Sequence, residues 1–168
     1  CVLFADGAGA AILKPSEDPG IIYSKLGANG AYSDLLYVPY GTSKRPLKEQ
    51  RNDNFLQMKG NEVFKVAVKT LESIAKDSLK EVNMTSEDID WFIPHQANIR
   101  IIQAVSKRLN IPEKKVIISL TDHGNTSAAS IPLALDQSIR EGKIKTGDTV
   151  LLQSFGAGFT WGTVIIKI

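Results

Sequence analysis

The sequence is poor in cysteine, in net charge and in long apolar runs, and each shortage excludes a class of protein. Its single cysteine cannot form an internal disulfide, which favours a reducing, intracellular compartment. The net charge of +2 is too small to indicate binding to nucleic acid or to a membrane surface. No apolar run approaches the roughly 20 residues of a membrane-spanning helix. The apolar share of 43% is ordinary for a globular chain.

Metal-binding, serine-nucleophile and dinucleotide-binding motifs are missing as well. Two histidines far apart and one cysteine do not make a metal-ligand set, so we expect no metal site. No Gly-x-Ser-x-Gly is present, so Ser127 and Ser130 do not form a nucleophile elbow. The run Gly7-Ala8-Gly9 has Ile12 where a dinucleotide loop has its third glycine, and no helical pattern follows it.

The beginning of the sequence is unusual because it lies inside an apolar run. Residues 1–5 have neither the basic region nor the small-residue cleavage pattern of a signal peptide. A natural N-terminus rarely falls inside what looks like a buried element. We therefore expect residues 1–168 to form one half-domain of a larger protein.

The spacing of apolar residues predicts an alternation of strands and helices. Strands are predicted over residues 2–5, 10–13, 20–26, 90–94, 116–120, 149–155 and 159–168, the first two being either separate or one long strand. Helices are predicted over residues 61–82, 98–109 and 127–141, the last becoming regular at about Ile131 because Pro132 is tolerated only in a first turn. Residues 28–54 read as irregular. This order predicts an α/β fold in which a central mixed five-stranded sheet is flanked by helices.

Two short motifs lie where these elements end. The run PHQAN at residues 94–98 closes a predicted strand, and HGNTSAAS at residues 123–130 is a glycine-containing turn before a helix. His95 and Asn125 are thus placed where a rigid frame can aim them into a pocket, as a neutral donor pair without a nucleophile. The alternatives are a structural histidine at a strand end and an asparagine that caps a turn. We interpret His123 as structural.

These motifs resemble those of the β-ketoacyl-acyl carrier protein synthase III family, the condensing enzymes that start type II fatty acid synthesis. The resemblance is carried by WFIPHQAN at 91–98, HGNTSAAS at 123–130 and SFGAGFTWG at 154–162, with support from DGAGA at 6–10 and GNEVF at 60–64. It covers almost the whole chain but only the C-terminal half of the family's protein. It implies one half of a thiolase-like fold, whose nucleophilic cysteine lies in the other half. Cys1 matches a core position and not that nucleophile.

The resemblance also implies catalytic roles for three residues. The family reaction is a decarboxylative Claisen condensation, in which the enolate from malonyl-acyl carrier protein attacks an acyl-cysteine. His95 and Asn125 match the two N–H donors that stabilise the enolate oxygen. The backbone amide of Ala157 matches a donor to the oxyanion formed from the acyl-cysteine. An ordinary turn between strands is the alternative for residues 155–158.

Binding roles are implied for two further sets of residues. The positions that contact coenzyme A or its pantetheine arm match Asn61, Phe64, Ala97, Asn98 and Phe155. Helix capping is the alternative for the two asparagines, and core packing for Phe64 and Ala97. The patch that docks the acidic acyl carrier protein matches Lys65, Arg100, Lys107 and Arg108. The alternative for this patch is an ordinary solvated helix face.

The expected substrates and partners follow from the same resemblance. They are acyl-CoA as a substrate rather than a prosthetic group, acyl carrier protein, the N-terminal half with its cysteine, and a second copy in a cytoplasmic homodimer. Two other functions stay open: a related condensing enzyme of secondary metabolism, and a non-catalytic carrier-protein-binding module. The presence of both His95 and Asn125 argues against the second. The chain alone lacks the nucleophile, so we expect it to be inactive by itself.

Overall fold

The computed structural model describes residues 3–39 and 55–168, and within them a four-stranded mixed sheet is the central element. Its strands lie in the order β1-β6-β5-β4. Their bounds are Ile21–Ala28 for β1, Trp91–Pro94 for β4, Thr149–Gly156 for β5 and Thr160–Lys167 for β6. A separate small sheet pairs β2, Leu36–Tyr37, with β3, Gln57–Met58.

Helices cover both faces of the central sheet. They are α1 at Gly60–Glu81, α2 at Ile99–Arg108, α3 at Leu120–His123 and α4 at Ser130–Arg140. One core cluster joins α1 and α2 to the sheet through buried residues such as Leu71, Val105 and Phe92. A second cluster joins α4 to the sheet through Ala134, Ile93 and Val150. No helix in the described residues is long and apolar enough to cross a membrane.

The pairing of the strands places the end of β4, where the PHQAN motif begins, beside β5. Strand β4 runs parallel to β5, with Phe92 beside Leu151 and Pro94 beside Gln153. Strands β5 and β6 form an antiparallel hairpin, and β1 pairs with β6 in the antiparallel sense. The predicted closing hairpin and the mixed sheet are therefore confirmed. The long predicted helices are confirmed as well, within a few residues at each end.

The central sheet has four strands in the described residues and not the predicted five. The strand expected over residues 116–120 is reduced to one bridge between Val116 and Phe92. The Ile117 N–H still donates to the Phe92 carbonyl at 2.9 Å, but Pro94 has no N–H for the next rung of the ladder. The buried side chain of Gln96 takes that place, and its Nε2 donates to the Ile117 carbonyl at 3.2 Å. Its Oε1 accepts the Ser119 N–H at 2.9 Å. These backbone groups would otherwise continue a ladder with β4, and the chain turns into α3 instead.

The strands expected in the first thirteen residues do not form in the part of them that the structure describes. Residues 3–20 contain no strand, and Leu3 and Ile12 are exposed. Two backbone hydrogen bonds join residues 3–20 to the rest of the described fold: the Ala5 N–H donates to the Asn125 carbonyl at 2.9 Å, and the Lys167 N–H donates to the Gly20 carbonyl at 2.7 Å. A strand needs a neighbour that takes its backbone hydrogen bonds, and an apolar run does not supply one. Cys1, Val2 and residues 40–54 lie outside the described residues.

Candidate active site

His95 directly follows β4, and both its backbone and its side chain are fixed. Its N–H donates to the Gln153 carbonyl at 2.7 Å, which continues the β4–β5 pairing by one residue. Its Nδ1 lies 2.7 Å from the Ser130 hydroxyl oxygen. Burial lowers the pKa of His95 below its ordinary value of 6.5, because the charged imidazolium would lose its solvation. The ring is therefore neutral at pH 7 and has one N–H to donate.

Gln96 and Ser130 surround His95, and neither has a role that the sequence motifs predict. Gln96 is fully buried, and its Nε2 donates to the Pro94 carbonyl at 2.7 Å. Its N–H points to the Ser130 hydroxyl oxygen at 3.2 Å. Ser130, the first residue of α4, is 2% exposed. The end of β4 is thus joined to the beginning of α4. A glutamine two residues after an apolar strand is the signal of this in the sequence.

Asn125 lies on the loop between α3 and α4. Gly124 before it has φ +66° and ψ −162°, a conformation open essentially to glycine alone. The Asn125 Oδ1 accepts the Ser127 N–H at 3.0 Å. This bond uses Oδ1 and leaves the amide Nδ2 for another acceptor. The capping role and the donor role of Asn125 are therefore compatible.

Ser130 connects the two donors. It follows Asn125 by one turn of chain, Ser127–Ala129, and its hydroxyl contacts His95. The structure therefore brings the loop of Asn125 and the ring of His95 to the same edge of the sheet. In the described residues, no hydrogen bond occupies the His95 Nε2 or the Asn125 Nδ2. Both atoms are therefore left for a partner outside the described residues.

The turn between β5 and β6 places Ala157 at an exposed tip. The turn is anchored by Phe159, which is fully buried and exchanges two backbone hydrogen bonds with Asn29, at 2.8 and 2.9 Å. The rings of Phe159 and Phe155 lie 4.7 Å apart. Gly158 has φ +134°, which favours glycine there. The turn is thus rigidly placed, and the oxyanion role of the Ala157 amide stays a prediction.

The residues expected at a coenzyme A site lie at the beginnings of α1 and α2. Asn61 is exposed in the first turn of α1, and Phe64, one turn later, is half-buried. Ala97 and Asn98 are exposed just before α2, and the Asn98 Oδ1 accepts the Arg100 N–H at 2.9 Å, which is a helix cap. Phe155 is half-buried in β5. The expected binding contacts of these residues stay predictions.

The four expected docking cations are all exposed, but they differ in what they contact. The Arg100 guanidinium lies 5.7 Å from the centre of the Phe64 ring, which links the cationic patch to the predicted arm-binding residues. Arg108 contacts Glu72 at 2.7 Å, and Glu72 also holds Lys76 at 2.8 Å. Hydrogen bonds from Lys76 and Arg108 hold the pKa of Glu72 below its usual range. The charge of Arg108 is therefore partly neutralised.

His123 ends α3 and is half-buried, in agreement with a structural interpretation. Its Nδ1 is enclosed, and no hydrogen-bond partner for it lies in the described ranges. Across residues 3–39 and 55–168, no three His, Cys, Asp or Glu side chains converge as a metal site would require.

Comparison with known families decides what this site is part of. The profile described as "3-Oxoacyl-[acyl-carrier-protein (ACP)] synthase III C terminal" matches residues 79–168. The chain belongs to this family. A second profile, "3-Oxoacyl-[acyl-carrier-protein (ACP)] synthase III", matches residues 1–30. The family resemblance seen in the motifs is thereby confirmed.

Named relatives of the 3-oxoacyl-ACP synthase III family match nearly the whole chain. It is 52% identical over 99% of its length to the beta-ketoacyl-[acyl-carrier-protein] synthase III of Alkalilimnicola ehrlichii, of which it covers 52%. The corresponding protein of Coxiella burnetii is 51% identical over the full chain, which covers 51% of it. The chain thus spans about half the length of the curated relatives that it matches.

Solved structures confirm the thiolase-like α/β fold. The 3-oxoacyl-[acyl-carrier-protein] synthase III of Aquifex aeolicus superimposes with a TM-score of 0.82 at 40% identity, over 92% of this chain and 46% of that one. The priming β-ketosynthase of the R1128 polyketide biosynthetic pathway superimposes equally well, with a TM-score of 0.82 at 34% identity, over 91% of this chain and 46% of that one.

Proposed function

We propose that the chain is the C-terminal half of a β-ketoacyl-acyl carrier protein synthase III, which condenses a short acyl-CoA with malonyl-acyl carrier protein to start fatty acid synthesis. The observation that carries the proposal is the orientation of the two donors. One polar atom of each side chain, His95 Nδ1 and Asn125 Oδ1, is engaged within the fold. His95 Nε2 and Asn125 Nδ2 are therefore left for an outside partner, and this supports a role for both atoms as N–H donors.

This pair suits the decarboxylation step. The bond between the malonyl carboxylate and the α-carbon breaks, carbon dioxide leaves, and the electron pair becomes an enolate with its charge on the thioester oxygen. N–H donors on His95 and Asn125 stabilise that oxygen without a net charge of their own. A neutral histidine suits the step because it offers a proton in a hydrogen bond and does not transfer it.

The carbon–carbon bond forms with the help of the half that this chain lacks. The enolate carbon attacks the thioester carbonyl of an acyl group held on the cysteine of the N-terminal half. The electron pair moves to that carbonyl oxygen, where the amide of Ala157 donates, and the cysteine thiolate then leaves. A turn anchored by the buried Phe159 is a suitable place for a backbone donor, because its amides need no rearrangement.

The remaining predicted residues guide the substrates. Asn61, Phe64, Ala97, Asn98 and Phe155 contact coenzyme A and the pantetheine arm, whose amides need paired donors and acceptors. Lys65, Arg100 and Lys107 attract the acidic carrier protein, and Arg108 contributes less because Glu72 is bound to it. The working enzyme is a cytoplasmic homodimer without a prosthetic group.

The proposal is tested with the intact enzyme that contains this half. Purified protein is incubated with acetyl-CoA or a branched short acyl-CoA and malonyl-acyl carrier protein, and the β-ketoacyl product is measured by mass spectrometry. We expect product, and an acyl-cysteine adduct outside this chain. Carrier-protein binding without an adduct or product would instead support the binding-module function.

A condensing enzyme of secondary metabolism is the second candidate, and the match to the priming β-ketosynthase of the R1128 pathway favours it. The two candidates differ in the acyl primer. The ratio of kcat/KM for acetyl or branched primers to kcat/KM for longer primers separates them. A preference for the short primers supports fatty acid synthesis.

A further inference from the structure

We propose that Ser130 is a positioning residue whose hydroxyl donates to His95 Nδ1 and thereby keeps the histidine proton on Nε2. The inference rests on the proposed function, since the Nε2–H is the donor offered to the enolate. It assigns a role to a serine through its contact with His95. It also makes the beginning of α4 part of the decarboxylation machinery.

The distances around the serine determine which atom donates. The Ser130 Oγ lies 2.7 Å from His95 Nδ1, a length typical of a good O–H to N hydrogen bond. The Gln96 N–H donates to the same oxygen at 3.2 Å and so occupies one of its lone pairs. A hydroxyl has one proton to give, and here the nearby acceptor for it is Nδ1. A neutral imidazole that accepts at Nδ1 carries its proton on Nε2.

The other tautomer is unfavourable on both sides of the ring. With the proton on Nδ1, the Ser130 oxygen would accept two N–H groups, and its own proton would need another acceptor. Ser130 is 2% exposed, and none of the described residues accepts that proton elsewhere. A buried hydroxyl proton without a partner is costly. In addition, Nε2 would then face the enolate with a lone pair instead of an N–H.

The neighbours of Ser130 keep its hydroxyl in this place. Ser130 begins α4, which packs on the sheet through the buried Ala134. Gln96 is fully buried and is bonded to Pro94, Ile117 and Ser119, so the N–H that it directs at Ser130 is fixed. Burial also lowers the pKa of His95, which keeps the ring in the neutral form that has tautomers to choose between.

The test compares Ser130→Ala with a matched control in the intact enzyme. Ser138 also has 2% exposure and lies two turns further along α4, so Ser138→Ala removes an equally buried hydroxyl from the same helix. The tautomer is observed by two-bond ¹⁵N–¹H correlation spectra of ¹⁵N-histidine-labelled protein. The His95 signals are identified by their loss in His95→Gln.

We expect the native enzyme and Ser138→Ala to show the Nε2–H form of His95. Ser130→Ala should show a mixture of tautomers, and its kcat for malonyl-acyl carrier protein decarboxylation should fall roughly tenfold to a hundredfold while KM stays unchanged. If Ser130→Ala does not fold, Ser130→Cys, with a weak donor of similar size, replaces it. The His95 tautomer and kcat of Ser130→Cys are then compared with those of the native enzyme and Ser138→Ala.

The inference is overturned by an Nδ1–H form in the native enzyme, or by an unchanged tautomer and kcat in the Ser130 variant. Failure of the proposed function looks different. In that case the native enzyme neither decarboxylates nor condenses, and the spectra alone still decide whether Ser130 controls the His95 tautomer.

Discussion

His95 is held by residues far away in the sequence, whereas Asn125 is held by its own loop. The backbone of His95 is bonded to Gln153, and its ring to Ser130. The side chain of Asn125 is bonded to Ser127, two residues further on. The difference indicates that His95 depends on the assembled sheet and core. Asn125 depends mainly on local turn geometry. Its backbone carbonyl also accepts a hydrogen bond from the distant Ala5 N–H.

Asn125→Asp separates the donor role of Asn125 from its role in the loop, and we expect the largest effect here. The Oδ1 acceptor for Ser127 remains, while the N–H donor is replaced by a negative charge beside the enolate. The kcat for malonyl-acyl carrier protein decarboxylation in the intact enzyme should fall by roughly a thousandfold or more, with an unchanged melting temperature.

Asn29→Asp is the matched control for that variant. The Asn29 Oδ1 accepts the Ala31 N–H at 2.9 Å, the same local arrangement. Asn29 supports the Ala157 turn only through its backbone bonds to Phe159, which the substitution retains. It should keep its activity. A large loss of melting temperature in Asn125→Asp would show that the loop itself had been damaged, contrary to the comparison.

His95→Ala tests the other donor. Removing one such donor should lower kcat for decarboxylation by roughly a hundredfold to a thousandfold. Because Ser130 loses its acceptor in the core, we also expect a lower melting temperature, unlike Asn125→Asp. Equal thermal stability of the native enzyme and His95→Ala would contradict the idea that His95 is integrated into the core.

Gln96→Ala tests the distant support of His95. The substitution removes the buried amide that bonds Pro94, Ile117 and Ser119, and it leaves a cavity. We expect a loss of about 2–4 kcal/mol of folding free energy, seen as a melting temperature lower by several degrees in the intact enzyme. The exposed Gln103→Ala is the control and should change little. A decrease in melting temperature no greater than that of Gln103→Ala would contradict the prediction.

The pH dependence is the smallest expected effect and concerns His95 alone. Burial lowers its pKa in the folded protein, so below pH 6.5 the unfolded chain binds a proton that the folded protein does not. The contribution of neutral His95 to folding stability is therefore fully present above pH 6.5. It declines as the pH falls from there towards the lowered pKa of His95 in the folded protein. Melting temperatures between pH 7 and pH 5 should show this decline. The slope should be smaller in His95→Gln, and an equal slope would contradict the assignment.

The elements with strong periodicity were predictable, because their own residues determine their hydrogen bonds and their buried face. Helix α1 and the β5–β6 hairpin are of this kind. Residues 116–120 form a single bridge instead of the expected strand, and this was not predictable from their own pattern. The side chain of Gln96 bonds the backbone groups of Ile117 and Ser119. The strands expected before residue 14 depend on a neighbour that periodicity cannot reveal.

The sequence motifs predict His95 and Asn125 as site residues, a prediction that stays open, but they do not predict the contacts that support the two side chains. His95 and Asn125 belong to recognisable motifs, so their types and positions were evident. Ser130 lies in the same motif, yet its contact with His95 spans 35 positions and arises only when α4 packs beside β4. The pairing of Arg108 with Glu72, 36 positions apart, is hidden in the same way.

The order of strands in the sheet has a consequence for synthesis on the ribosome. Strands β1 and β4 flank β5 and β6, yet both leave the ribosome before either of them. Until the hairpin emerges, the edges of β1 and β4 that pair with it have no native partner, whereas α1 and α2 can already form from local contacts. His95 therefore acquires its backbone anchor on Gln153 late, and the nascent chain carries two open edges that need protection from aggregation.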